Sequence, residues 1–158
     1  MLSHSAKLQS RHRLTLWLEL LLAAAAGLEP RQGVLIGRDG EHFRVVSRIS
    51  PPPPSEARQQ LEQLRHWREQ HRSLCWPVPP DTGWAFAQAE RKQAGSGLAK
   101  ARGVWEGGYA GLAEREREVM AVCFGSSLPT SELLHARAME LALGLFDPLL
   151  ERSEEARR

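Results

Sequence analysis

The sequence predicts an α-rich mixed α/β domain. Three observations carry that expectation: several segments repeat apolar residues at helical spacing, one Asp-Gly turn lies between two short β-type runs, and the composition is that of a globular protein. The chain has 158 residues, room for one ordinary core, and its apolar share of 42% and charged share of 25% exclude general disorder. Lys plus Arg number 21 against 19 Asp plus Glu, and a net charge of +2 excludes a protein that holds nucleic acid by bulk charge alone. The charge is uneven, with 11 basic against 7 acidic residues in 1–80 and 10 against 12 in 81–158.

The first element is the run Leu14 to Leu28, which follows Lys7, Arg11 and Arg13 and ends in alanines, as a secretory signal does. Glu19 in its middle and a length short of a membrane span argue against a lipid-facing segment. Leu14, Trp17, Leu18, Leu21, Ala25 and Leu28 recur on one helical face, so the run reads as the core helix of a soluble protein, closed by Gly27 and kept from resuming by Pro30. Leu16, Leu20 and Leu22 lie outside that stripe and call for burial on a second side, so the isolated chain is expected to self-associate. A hairpin follows: Val34 to Ile36, the turn Gly37-Arg38-Asp39-Gly40, and a return strand with Phe43, Val45 and Val46. Pro51 to Pro54 form a stiff extended connector, and Ser55 is the expected N-cap of a helix with Leu61, Leu64 and Trp67 on its apolar face.

Leu74 to Trp84 (LCWPVPPDTGW) reads as an irregular apolar loop, and Ala85 to Ala94 as a short helix broken by Gly95-Ser96-Gly97. A further helix from Leu98 ends at Gly107-Gly108. Residues 113–124 begin charged and finish apolar, as a helix does when its last turn is buried. The next helix starts at Pro129-Thr130, presents Leu134, Ala138, Leu141 and Leu145, and is expected to stop at Asp147-Pro148. One domain is expected over 1–150, with 151–158 a charged, disordered tail.

No catalytic constellation stands out. Pro80-Asp81 followed by Glu90-Arg91-Lys92 imitates the PD-(D/E)xK nuclease pattern, in which two carboxylates hold a divalent metal and the lysine stabilises developing charge. Glu90, however, lies in AFAQAERKQA, which favours helix over the strand that chemistry uses. Asp81, Glu90 and Lys92 therefore stand only as an alternative, Mg-dependent nuclease reading. Gly95-Ser96-Gly97 with Lys100 lacks the spacing of a phosphate loop, and His71 with Cys75 lacks further metal ligands. Two cysteines, Cys75 and Cys123, suit a reducing cytoplasm. The candidate DNA contacts are Arg38 at the hairpin tip, Arg65, Arg68 and Arg72 along one helix, and the tryptophans Trp84 and Trp105, whose indoles could stack on bases. A helical protein-interaction module, binding through a loop tryptophan and the proline segment, is the other alternative.

The succession KLQSRHRLTLWLELLLAAAAG, VLIGRDG, ARQQLEQLRHWREQHRSLCWPVPPDTGWAFA, KARGVWEGGYAGLAEREREVMAVCFG and LFDPLL resembles, from Lys7 to Leu150, the C-terminal domain of the exodeoxyribonuclease V gamma subunit, RecC. The resemblance implies the C-terminal part of a restriction-endonuclease-like domain that has lost its catalytic residues. It implies a structural and DNA-channel role in a RecBCD-type helicase-nuclease that processes double-strand breaks for homologous recombination. The implied partners are RecB-like and RecD-like subunits, duplex DNA ends and single-stranded DNA, with no membrane. No catalytic or metal-binding residue and no cofactor is implied in this chain, since ATP and Mg would belong to partner subunits. RecC subunits are much longer, so the chain is expected to be incomplete.

Overall fold

A computed structural model describes residues 2–3, 9–39, 42–73, 76–108 and 113–155. The turn at Gly40 and one of the two cysteines, Cys75, lie outside them. In chain order the elements are β1 (Leu2–Ser3), α1 (Ser10–Ala25), β2 (Gly33–Asp39), β3 (His42–Ile49), α2 (Pro54–Gln70), α3 (Pro80–Lys92), α4 (Gly97–Trp105), a 3₁₀ turn at Glu114–Glu116, α5 (Glu118–Phe124), α6 (Thr130–Leu133), α7 (Ala136–Glu151) and β4 (Ser153–Glu155). The α-rich mixed α/β class is thus the observed one. The chain falls into two compact units, Met1–Gln70 with Leu149–Arg158, and His71–Pro148. Among the described residues no helix is long and apolar enough to cross a membrane.

The first unit is a small sheet with two helices. Strand order is β1-β2-β3-β4, with β1 parallel to β2 and the other pairs antiparallel. The expected hairpin is present, with a register shift between Leu35 and Ile36. Helix α1 ends in a Schellman motif: Gly27, at φ +76, gives its N–H to the Ala24 carbonyl and Leu28 gives its own to Ala23. Its buried face is not the predicted stripe. Leu16, Trp17, Leu20, Leu21 and Ala24 are buried, while Leu18 and Leu28 are exposed, because α1 packs on both β2 and α2 and needs a broad face. Leu16 and Leu20 thus have the second side they require, and Leu22 remains exposed.

Two boundaries move for a physical reason. Helix α2 starts at Pro54, not after Ser55, because a first helical residue needs no N–H, and Ala57 N–H bonds the Pro53 carbonyl. Ser153–Glu155, expected to be part of a disordered tail, pairs with Ser47–Ile49. Arg152 holds this return in place: its carbonyl accepts the Ser50 N–H, and its guanidinium bonds Glu56 at 2.6 Å and the Pro51 carbonyl at 3.4 Å. The proline run is thereby tied into the first unit.

In the second unit, the supposed loop before Trp84 is already helix from Pro80, and Trp84 lies on α3. Trp105, Phe146, Leu134, Leu141 and Val78 are fully buried. The predicted helix from Thr130 breaks at Leu134 and restarts at Ala136, where the His135 carbonyl accepts the Met139 N–H. It then runs through Pro148 to Glu151, Pro148 giving up the N–H that would have bonded the Gly144 carbonyl. The last turn of α5 is not buried either: Val119 and Val122 are exposed, and none of its residues is buried.

Candidate nucleic-acid interface

The arginines of the first unit's α2 alternate with Glu56, Glu62 and Glu69. Leu61, Leu64 and Trp67 are half-buried on its apolar side, leaving Arg58, Glu62, Arg65 and Arg68 exposed. Arg58 is spent locally, its Nε donating to the Ala25 carbonyl at the end of α1. Arg65 forks onto Glu62 with donor distances of 2.6 and 3.0 Å, and this pair holds the Glu62 carboxyl below the usual range. Both side chains are about two-thirds exposed (66% and 65%), so the pair is weak and a phosphate could displace the carboxylate. Arg68, one turn on from Arg65, is exposed as well, with Glu69 beside it. Arg72 is exposed but belongs to the second unit. Arg38 stands in register with Phe43 near the end of the β2–β3 ribbon, and its side chain lies outside the described residues.

The tryptophan candidates fare differently. Trp84 is half-buried and meets Phe146 edge to face, with ring centroids 5.7 Å apart. Trp105 is 0% exposed and its indole N–H donates to the Leu128 carbonyl at 2.6 Å, so it is a satisfied core residue and has no face to offer a base. Among the described residues Phe43 is an aromatic ring that does face solvent, 61% exposed, and the sequence reading placed it in a strand without a functional role. The signal available in the sequence was its position in a strand close to the Asp-Gly turn.

The nuclease-like trio is not assembled. Asp81 and Glu90 sit at opposite ends of α3, about 13 Å apart along its axis at 1.5 Å per residue. Each is engaged elsewhere. Asp81 pairs with Arg117 at 2.7 Å. Glu90 accepts the backbone N–H groups of Gly95 at 2.7 Å and Gly97 at 2.9 Å, which hold its carboxyl below the usual range, and Lys92 is exposed. Among the described residues no group of three or more His, Cys, Asp or Glu could hold a metal ion.

What these acidic side chains do instead is cap. Glu90 reaches the start of α4. Glu106 accepts the Thr130 N–H at 2.9 Å and its hydroxyl at 2.8 Å at the start of α6, and these bonds with Arg102 hold its carboxyl down at about 2. Glu114, fully buried, accepts Asp81 N–H at 3.0 Å, Thr82 N–H at 2.6 Å and the Thr82 hydroxyl at 2.7 Å at the start of α3. Burial pushes its carboxyl up against the pull of those bonds. The three carboxylates supply to three helices the caps that their own N-cap side chains do not provide.

The RecC C-terminal domain family model matches residues 1–91, more than half of the chain. The chain belongs to the RecC C-terminal domain family. The match takes in α1, the hairpin, α2 and nearly all of α3, and the wider resemblance read from Lys7 to Leu150 has this support as far as Arg91. RecC membership ties the chain to the RecBCD-type exodeoxyribonuclease V and to DNA repair. No curated protein matches the sequence.

Proposed function

We propose that the chain is a non-catalytic structural and DNA-channel domain of a RecBCD-type helicase-nuclease, acting in the cytoplasm on double-strand DNA ends for homologous recombination. The single observation that carries the non-catalytic reading is the separation of Asp81 from Glu90 along α3, with both carboxylates committed to other partners. A two-carboxylate metal site needs both groups on one ion, and a helix of this length keeps them apart. In this reading the nuclease-like fold survives as scaffold, RecB-like and RecD-like subunits carry the ATP and Mg chemistry, and the exposed arginines of α2 contact the phosphates of duplex ends or separated strands.

The test has two arms. Purified chain incubated with linear duplex DNA and Mg²⁺ should release no nucleotides, and degradation abolished by Asp81→Ala would restore the nuclease alternative. In the second arm, binding to DNA should weaken linearly in log salt, and replacing both Arg65 and Arg68 by Ala should flatten the slope by about one for each lost phosphate contact. An unchanged slope would remove α2 from the DNA-contact surface.

A further inference from the structure

Strand β4 is three residues long, Ser153-Glu154-Glu155, and carries no apolar side chain. It lies on the outer edge of β3 through the pairs Ile49–Ser153, Arg48–Glu154 and Ser47–Glu155. The chain just before it is anchored differently. Leu149, near the end of α7, is fully buried, whereas from Arg152 to Glu154 no buried side chain holds the segment to the sheet. The β2–β3 ladder, by contrast, runs over seven pairs and contains Leu35 and Ile49, both 0% exposed.

What keeps β4 on this edge is Arg152. Its guanidinium forks onto the Glu56 carboxylate of α2, Nη2 to Oε2 at 2.6 Å and Nε to Oε1 at 3.3 Å, and Nη1 reaches the Pro51 carbonyl at 3.4 Å. Its own carbonyl accepts the Ser50 N–H at 2.9 Å, one residue beyond the rungs. A forked guanidinium–carboxylate pair is among the stronger polar contacts, and at 27% and 37% side-chain exposure this one is shielded yet still within reach of salt. A strand with three rungs, no apolar burial and one ion-paired clasp has few contacts to lose, and a segment of that kind opens without the rest of the fold. Lifting it bares the backbone of β3 at Ser47 to Ile49, an unpaired edge to which another strand can add.

We propose that residues 152–155 are a detachable strap: the Arg152–Glu56 clasp keeps β4 on β3, and release of the clasp opens the β3 edge while the β2–β3 ladder stays folded. The strap is a conformational device that gates a strand edge through charge, independent of any DNA contact by α2. The experiment is amide hydrogen exchange on the whole chain, followed residue by residue by NMR. Arg152→Glu should speed exchange of the Ser50 and β4 amides by about tenfold or more, the loss of one charge-assisted pair, and leave the β2–β3 and α1 amides at their wild-type rates. Adding Glu56→Arg to Arg152→Glu should return most of the protection, since the pair re-forms with its charges exchanged. Raised salt should speed the same amides in the wild-type chain, a test of the clasp that needs no substitution. Equal exchange in Arg152→Glu and wild type would mean that the guanidinium does not hold the strand. Salt-insensitive exchange, or no recovery in the double variant, would remove Glu56 as the clasp. Acceleration of the β2–β3 and α1 amides in step with β4, or failure of Arg152→Glu to fold, would make β4 part of the cooperative fold. Any of these results overturns the strap.

Discussion

Removing Glu114 should destabilise the second unit by about 2–4 kcal/mol, and the figure follows from counting donors. Helix α3 begins with Pro79 as N-cap and Pro80 as its first residue, so two of its early positions have no N–H to satisfy. Gly83 N–H is already bonded to the Pro79 carbonyl. That leaves Asp81 and Thr82, and the two oxygens of Glu114 take one each. Glu114→Ala strands both N–H groups and the Thr82 hydroxyl. Thr82 is 0% exposed, so water cannot replace the acceptor without opening the core. Each stranded buried donor costs about 1–3 kcal/mol, and the lost carboxylate also no longer faces the positive end of the helix dipole. Relief of the buried carboxylate's desolvation returns part of this.

The assay is urea denaturation of the whole chain followed by tryptophan fluorescence, supported by thermal melting. A loss in this range lowers the melting temperature by roughly 2–4 °C per kcal/mol for a chain of this size. Glu114→Gln should fall between wild type and Glu114→Ala, because its amide oxygen satisfies one N–H while its NH₂ confronts the other. A Glu114→Ala midpoint within about 0.5 kcal/mol of wild type, at equal denaturant slope, would refute the capping argument.

Acid should expose the cap at Glu106. Its folded carboxyl is depressed to about 2, so its stabilising contribution is full above the ordinary carboxylate range and is lost as pH falls through about 2. The stability gap between wild type and Glu106→Gln, measured by urea midpoint across pH, should therefore be widest near neutrality and close in strong acid. A gap independent of pH would show that Glu106 caps through shape alone. Two glycine substitutions should have opposite signs. A Cβ at Gly83 would stand 2.3 Å from Val78 Cγ1 and 2.9 Å from Phe146 Cε2, so Gly83→Ala should cost about 1–3 kcal/mol by overpacking. A Cβ at Gly103, inside α4, meets nothing within 4 Å, so Gly103→Ala should stabilise by roughly 0.5–1 kcal/mol through reduced backbone entropy. Thermal melts that shift the same way for both would refute the packing contrast.

What could be read from the sequence was whatever local chemistry decides. The Asp-Gly hairpin, the glycine that ends α1, and the helix from Gly97 to Trp105 closed before Gly107 all rest on residues adjacent in the chain. What could not be read depends on partners far away in sequence. Glu114 reaches Thr82 across 32 positions and Glu106 reaches Thr130 across 24, and no spacing rule announces either. The start of α3 is the clearest case. Three prolines and an aspartate look like loop chemistry, yet prolines lacking N–H groups reduce the capping demand to two donors, which a distant carboxylate then meets.

The same logic separates the chance spelling of a PD-(D/E)xK pattern over Pro80 to Lys92 from a metal site. In a metal site the acidic residues must be held near one another and left with lone pairs for the ion, which makes them costly to keep unpaired. In this chain each acidic residue of the imitation motif has found a cheaper use: Asp81 neutralises Arg117, and Glu90 closes the turn into α4. Building a metal site here would require more than adding a ligand. Glu90 would have to leave the Gly95 and Gly97 N–H groups without an acceptor, and α3 would have to give way to a strand that carries both carboxylates to one end. The hydrogen bonds of Glu90 are therefore part of what joins α3 to α4, and one ion cannot be held by both Asp81 and Glu90 while α3 stays a helix.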